Sequence, residues 1–210
     1  MIVYLDNSST TKPYREAVDR AVLYMTEDYG NPSSLHGLGL NAEKAVKEAR
    51  AAVAKGLGAT AGEIYFTSGG TEADNMAIIK GAQARRRAGN RIITTKTEHP
   101  AVLEPCAYME KQGFEVVYID VDSKGCIDLE QLRSEINDNT ILISVMHVNN
   151  ELGSINPIAE ISKLKGNALF HSDAVQSYGK VDINAGGTDI DMISVSGHKI
   201  HGPKGIGAIY

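Results

Sequence analysis

Five clusters of polar side chains stand at the ends of short apolar, β-branched runs in this chain. EIYFTS leads into Gly69, Gly70 and Thr71, RIITTK into Thr97, Glu98, His99 and Pro100, and ILISVMH into Asn149, Asn150, Glu151 and Gly153. ALFHSD delivers Asp173 and Gln176, and DMISVS delivers Ser196, Gly197, His198 and Lys199. A Gly-Gly-Thr turn opening a helix leaves backbone N–H groups and the positive end of the helix dipole free for a phosphate or carboxylate. A lysine supplies an amine for imine chemistry, an aspartate a counter-charge for a cation, and a histidine a flat ring that can relay protons.

These groups serve one ligand only if a scaffold brings the run ends together. With the final GIGAIY there are seven runs, and four are near-continuous aliphatic blocks, the pattern of strands covered on both faces. Helical spacers separate most of them, for example around Leu103 to Gln112 and Leu129 to Ile136. This alternation predicts a three-layer α/β/α fold around a mostly parallel seven-stranded sheet, with ligands beyond the carboxyl ends of the strands. GIGAIY follows its predecessor through only GHKIHGPK, so it is expected to be antiparallel or at the edge.

Three further helices follow from spacing. Pro13 suits the first turn of one whose apolar face is Ala17, Val18, Ala21, Val22 and Met25. A second runs from about Asn41 to Lys55, with Ala42, Ala45, Val46, Ala49 and Val53 on one side, Glu43/Lys47 as an i,i+4 pair, and Gly56 and Gly58 as stops. The third begins after Gly69–Gly70, with Glu72 and Asp74 in its first turn and Arg85 to Arg87 in its last, a charge order that suits the helix dipole.

Each cluster alone also has an ordinary reading. A Gly-Gly-Thr start is usually a cap, a strand-end Asp an N-cap, and a His before Pro a turn marker. The turn lacks the Walker lysine and the full dinucleotide fingerprint, and the six histidines are scattered without a HExxH pair, so no metal site is expected. Cys106 and Cys126 fit neither a disulfide framework nor a zinc pattern, which points to a reducing cytoplasm. The 210 residues carry a net charge of -5, with no basic surplus to favour nucleic acid or an anionic membrane. No apolar run approaches the roughly 20 residues that cross a bilayer, and MIVYLDNSSTT is not a secretory leader.

Taken together the clusters have one chemical sense. Pyridoxal phosphate needs a lysine for its Schiff base, an anion site, a carboxylate at its ring nitrogen and a platform for the ring. The chain also resembles the cysteine desulfurases, pyridoxal-phosphate enzymes of fold type I in the class V aminotransferase group. The resemblance rests on YLDNSSTT, GNPSSLHGLG, FTSGGTEADNMAI, TEHPAVLEP, MHVNNELG, DAVQSYGK and SGHKIHGPKGIGAIY, in that order and with family-like spacing.

The resemblance implies a role for each strand-end group. Lys199 binds the cofactor covalently and moves protons, and His99 stacks on the ring and assists. Asp173 pairs with the ring nitrogen, Gln176 with the phenolic oxygen, and Asn150 lies near cofactor and substrate. Gly70, Thr71, Ser196 and His198 hold the phosphate. It further implies L-cysteine as substrate, alanine and an enzyme persulfide as products, a homodimer, and a sulfur-acceptor scaffold protein for iron-sulfur or thio-cofactor assembly.

In that family the nucleophilic cysteine, the arginine that holds the substrate carboxylate and most of the small domain follow the SGHK segment. This chain stops eleven residues beyond Lys199, and Cys106 and Cys126 match no nucleophile position. The expectation is therefore an N-terminal portion of a longer enzyme, inactive in desulfuration alone. Residues 1–14 would pack with the small domain, and 15–210 would form a cofactor-binding large domain incomplete at its C-terminus. A selenocysteine lyase, an aminotransferase, and a non-catalytic cofactor-binding or assembly domain stay open as alternatives.

Overall fold

The computed structural model describes residues 3–210; residues 1 and 2 of the proposed N-terminal segment lie outside it. All seven apolar runs are strands of one sheet: β1 (Tyr65–Thr67), β2 (Arg91–Thr95), β3 (Glu115–Ile119), β4 (Thr140–Ser144), β5 (Leu169–Asp173), β6 (Met192–Ser196) and β7 (Gly207–Ile209). They lie in the order β1-β7-β6-β5-β4-β2-β3. The pairings from β3 through β6 are parallel, and β7 is antiparallel to both neighbours.

The last strand is thus antiparallel, as its short connection requires, but it lies inside the sheet, and β1 and β3 form the edges. A glycine permits this insertion. A Cβ on Gly207 would come within 2.7 Å of the Gly69 carbonyl carbon and of the Val195 oxygen. The same close approach seats the Gly69–Gly70 turn against the sheet.

Successive strand residues feed opposite faces, as a period of two demands. Ile93 and Ile143 enter one core with Leu57, Leu132, Ile161 and Phe170. Ile92 and Leu142 enter the other with Ile78, Val102 and Met109. Each fully buried aliphatic side chain contributes about 1.5–3 kcal/mol of transfer free energy. Helices α2 (Gly37–Leu57), α6 (Leu129–Glu135) and α7 (Ile158–Leu164) cover the first face, and α3 (Gly70–Asn75), α4 (Gly81–Arg85) and α5 (Pro100–Lys111) the second.

Several helix boundaries differ from the spacing, each for a local reason. α1 spans Arg15–Thr26, because Tyr14 stays extended with its N–H donated to the His201 carbonyl, leaving Pro13 before the helix. α2 starts earlier than Asn41, where His36 Nδ1 accepts from Gly39 N at 3.3 Å. It ends on Gly58, left-handed at φ 64°, so Gly56 lies inside it. The third helix is continuous from Gly70 to Arg85 but widens into a π-helical stretch over Met76–Lys80, and Arg86 and Arg87 lie beyond its end. Among the described residues no helix is long and apolar enough to cross a membrane.

Candidate active site

The ends of β1, β2, β4, β5 and β6 converge on a cavity of about 230 Å³. Gly70, Thr71, His99, Asn150, Asp173, Gln176, Ser196, His198 and Lys199 all line it. Every strand-end residue singled out from the sequence as a site residue is therefore at one place. Neither cysteine lines the cavity. Cys106 is enclosed in α5 with its thiol pushed up to about 12 by burial, and Cys126 sits in a turn with Sγ 3.6 Å from the Ile155 carbonyl.

Helix α3 presents its first-turn N–H groups, which no helix can satisfy internally. A Cβ on Gly70 would lie 2.6 Å from Val175 Cγ2, so glycine is what lets this helix start close against the turn after β5. Glu72 holds the preceding loop by accepting from Ser68 N at 2.6 Å. Ser196 and His198 stand on the adjoining strand end, with His198 Nδ1 3.1 Å from Thr10 Oγ1. Burial, and then the charges of Lys199 and Lys204, hold His198 below the usual imidazole range.

Asp173 ends β5, where its Oδ1 accepts from Val175 N at 2.9 Å. Burial raises its carboxyl; the Val175 hydrogen bond and the charges of His99 and Lys199 oppose that rise. A cationic group brought to its free oxygen would complete the compensation. His99 is the N-cap of α5, and its Nδ1 accepts from Ala101 N at 3.1 Å, which fixes the ring against the cavity. Asn149 accepts from the N–H groups of Glu151 and Leu152 at 2.9 Å each, shaping the loop that brings Asn150 to the rim.

Lys199 follows β6 in a short 3₁₀ turn. Burial and the charge of Lys180 lower its ammonium pKa, against Asp173 and Asp6. Its Nζ donates to the carbonyls of Ser8 and Ser9, and Gln176 Nε2 donates to Ser8 O at 2.7 Å. Residues 8–14 thus run across the lysine turn, with Thr11 N and Thr11 Oγ1 both donating to the His198 carbonyl and Tyr14 stacked on His201 at 4.3 Å.

Sequence reasoning gave no site role to the acidic groups beneath this surface, although Glu98 stands in the strand-end cluster after RIITTK. Asp74, read as a first-turn dipole partner, lines the cavity and is buried. Its signal was the i,i+4 spacing from Gly70, which puts both on one helix face. Glu98 is also enclosed. It accepts from Thr95 Oγ1 at 2.8 Å and from Met146 N at 2.9 and 3.1 Å, tying the end of β2 to that of β4, and burial pushes it up to about 8.

The aminotransferase class-V family model matches residues 3–210. This chain belongs to that family. Members of the class V family use pyridoxal phosphate, and the cavity fits that group: it offers the first-turn N–H groups of a helix that glycine seats against Val175, a buried carboxyl with an unpaired oxygen, and an amine of lowered basicity. Class V relatives include a cysteine desulfurase IscS from Methanosarcina thermophila, 51% identical over 99% of this chain and 52% of its own length. Another, named putative cysteine desulfurase IscS 1, from Bacillus subtilis (strain 168), is 46% identical over 99% of this chain and 55% of its own.

A solved NifS-like protein superimposes with a TM-score of 0.97 at 40% identity, covering 100% of this chain and 59% of that one. The structure titled SspA in complex with cysteine gives 0.95 at 40% identity, covering 100% and 61%. The chain spans about half the length of the curated relatives it matches.

Proposed function

We propose that this chain is the pyridoxal-phosphate-binding large domain of a cysteine desulfurase, which converts L-cysteine to L-alanine and passes the sulfur to an enzyme cysteine as a persulfide. The observation that carries the reading is the convergence on one cavity of the nine residues singled out as site residues, Lys199 among them. About 50% identity to proteins named cysteine desulfurase supports the substrate, as does the solved relative with cysteine.

Gly70, Thr71, Ser196 and His198 would hold the phosphate, and Gln176 the phenolic oxygen. Asp173 would face the ring nitrogen, with Lys199 Nζ as the attaching amine and His99 as the platform for the ring. When bound, pyridoxal phosphate supplies an electron sink for negative charge at the substrate α-carbon. Lys199 Nζ, whose charged form burial disfavours, holds and moves a proton there, and Asn150 at the rim orients the substrate.

Neither Cys106 nor Cys126 is placed to take the sulfur, so the nucleophile is assigned to a part of the enzyme outside these residues, and the 210-residue chain should not turn over cysteine. In the whole enzyme we expect a cytoplasmic homodimer that hands sulfur to a scaffold protein; of the 1–14 segment, residues 8–14 lie on the lysine turn, and the part before them is expected to pack on the small domain. The exposure of Val3 and Leu5 supports that packing.

The test is to titrate the chain with pyridoxal phosphate, then add cysteine and a reductant and quantify sulfide and alanine. Saturable binding without multiple turnovers is expected. Many turnovers abolished by Cys106→Ser or Cys126→Ser would place the nucleophile here after all.

A further inference from the structure

Beneath the cavity, at the interface of α3 with the sheet, lies a polar cluster in which Ser144, His171 and Ser194 are completely enclosed and Asp74 nearly so. His171 Nδ1 is 2.9 Å from Ser144 Oγ, and Nε2 is 2.9 Å from Ser194 Oγ and 3.5 Å from Asp74 Oδ1. Asp74 Oδ1 has no hydrogen-bond partner, although the residue lines the cavity. The titratable groups facing it are His171 and Asp173 from β5 and Glu98 from the loop after β2. None of them is a ready cation: two are acids, and burial drives the His171 ring down to about 3.

We propose that Asp74 is a positioning residue of this site, keeping its enclosed carboxyl neutral beside His171 and Ser194 so that Asp173 alone presents a negative charge to the ring nitrogen. The inference rests on the pyridoxal phosphate reading given above and adds a residue that reading does not use. Two carboxyls in one dry cavity do not both ionise when one cation is available. The surroundings choose between them. Asp173 has the Val175 N–H bond and the nearby charges of His99 and Lys199, whereas Asp74 is more than nine-tenths enclosed, has an oxygen with no partner and faces the charge of Asp173. The nearest partner of His171 Nε2 is Ser194 Oγ at 2.9 Å, so Asp74 Oδ1 at 3.5 Å is left with neither a hydrogen bond nor an ion pair to hold a charge in that enclosed place.

The test has one arm that needs no cofactor. Infrared spectra of the apo chain labelled with carbon-13 aspartate, taken at neutral pH, should contain a label-sensitive band of a protonated carboxyl. Asp74→Asn should remove it, and Asp173→Asn should keep it. If Asp74→Asn does not fold, Asp74→Ser, which keeps a polar group in the same enclosed place without a carboxyl, should remove the band in its stead.

In the second arm, titration with pyridoxal phosphate followed by absorbance should find Asp74→Asn within about threefold of the parent and Asp173→Asn weaker by more than about tenfold, the cost of losing a hydrogen bond to a charged group. A band that survives Asp74→Asn, or a cofactor affinity lost equally in both variants, overturns the proposal. A parent that binds no cofactor but keeps an Asp74-dependent band overturns the cofactor reading and leaves the neutral carboxyl standing.

Discussion

The cavity at the strand ends and the face built by α1 and α2 were both legible as patterns, yet they come out opposite in character. Around the cavity, Asp173, His99 and Gln176 each have a partner supplied by the chain itself, and the walls are drawn from five strands held in register. Between α1 and α2 lies a groove of about 880 Å³ lined by Ala17, Ala21, Ala45, Ala49, Phe66 and Ile206, among others. Helix α1 has no buried residue at all, and Met25 on its apolar stripe is 77% exposed. Periodicity thus identifies which face of a helix is apolar, while burial depends on a partner that periodicity does not name.

The sharpest way to break this comparison is to delete apolar volume in each region. Ile143→Ala, in the interior strand β4 and fully buried, should cost about 2–5 kcal/mol of unfolding free energy in denaturant titration. Equal losses for Met25→Ser on α1 would mean that the helical face is packed after all. At the site, Gly70→Ala should weaken pyridoxal phosphate binding by about tenfold, the order of a lost hydrogen bond to a charged group, because the added methyl collides with Val175 and pushes the first turn of α3 outward. Unchanged affinity would show that the cradle tolerates a shifted helix.

A smaller effect distinguishes the buried acids from the surface. Glu98 is raised from 4.5 to about 8, so its contribution to folding is fully present below pH 4.5 and is lost as pH rises toward about 8. Glu98→Gln should flatten the fall in stability of the apo chain between about pH 5 and pH 8 by at least about 1.4 kcal/mol, the equivalent of one pH unit. An unaltered slope would mean that Glu98 is ionised in the fold. Smallest of all, Met25→Ser should change stability by no more than about 0.5 kcal/mol, as exposed substitutions do.

The sequence made the strand ends readable because apolar blocks buried on both faces stop abruptly where polar groups begin, and the α/β architecture gathers such ends. This is why Asp173, Ser196 and Lys199 are legible from the sequence as neighbours. Other features depend on packing that spacing cannot express. The insertion of β7 between β6 and β1 turns on the absence of a Cβ at Gly207, and the α1 start is set by Tyr14 reaching His201. Asp74 looked like an ordinary helix-dipole acid, and only the sheet beneath α3 shows that it faces inward beside His171.

The central claim is that Lys199 is the amine that attaches the cofactor. Incubating the chain with pyridoxal phosphate, reducing with borohydride and mapping the labelled peptide tests it directly. The account predicts one stoichiometric pyridoxyl label, on Lys199, lost in Lys199→Ala without loss of fold. A label on Lys180 or on any other lysine, or none in a folded chain that has bound the cofactor, would contradict it.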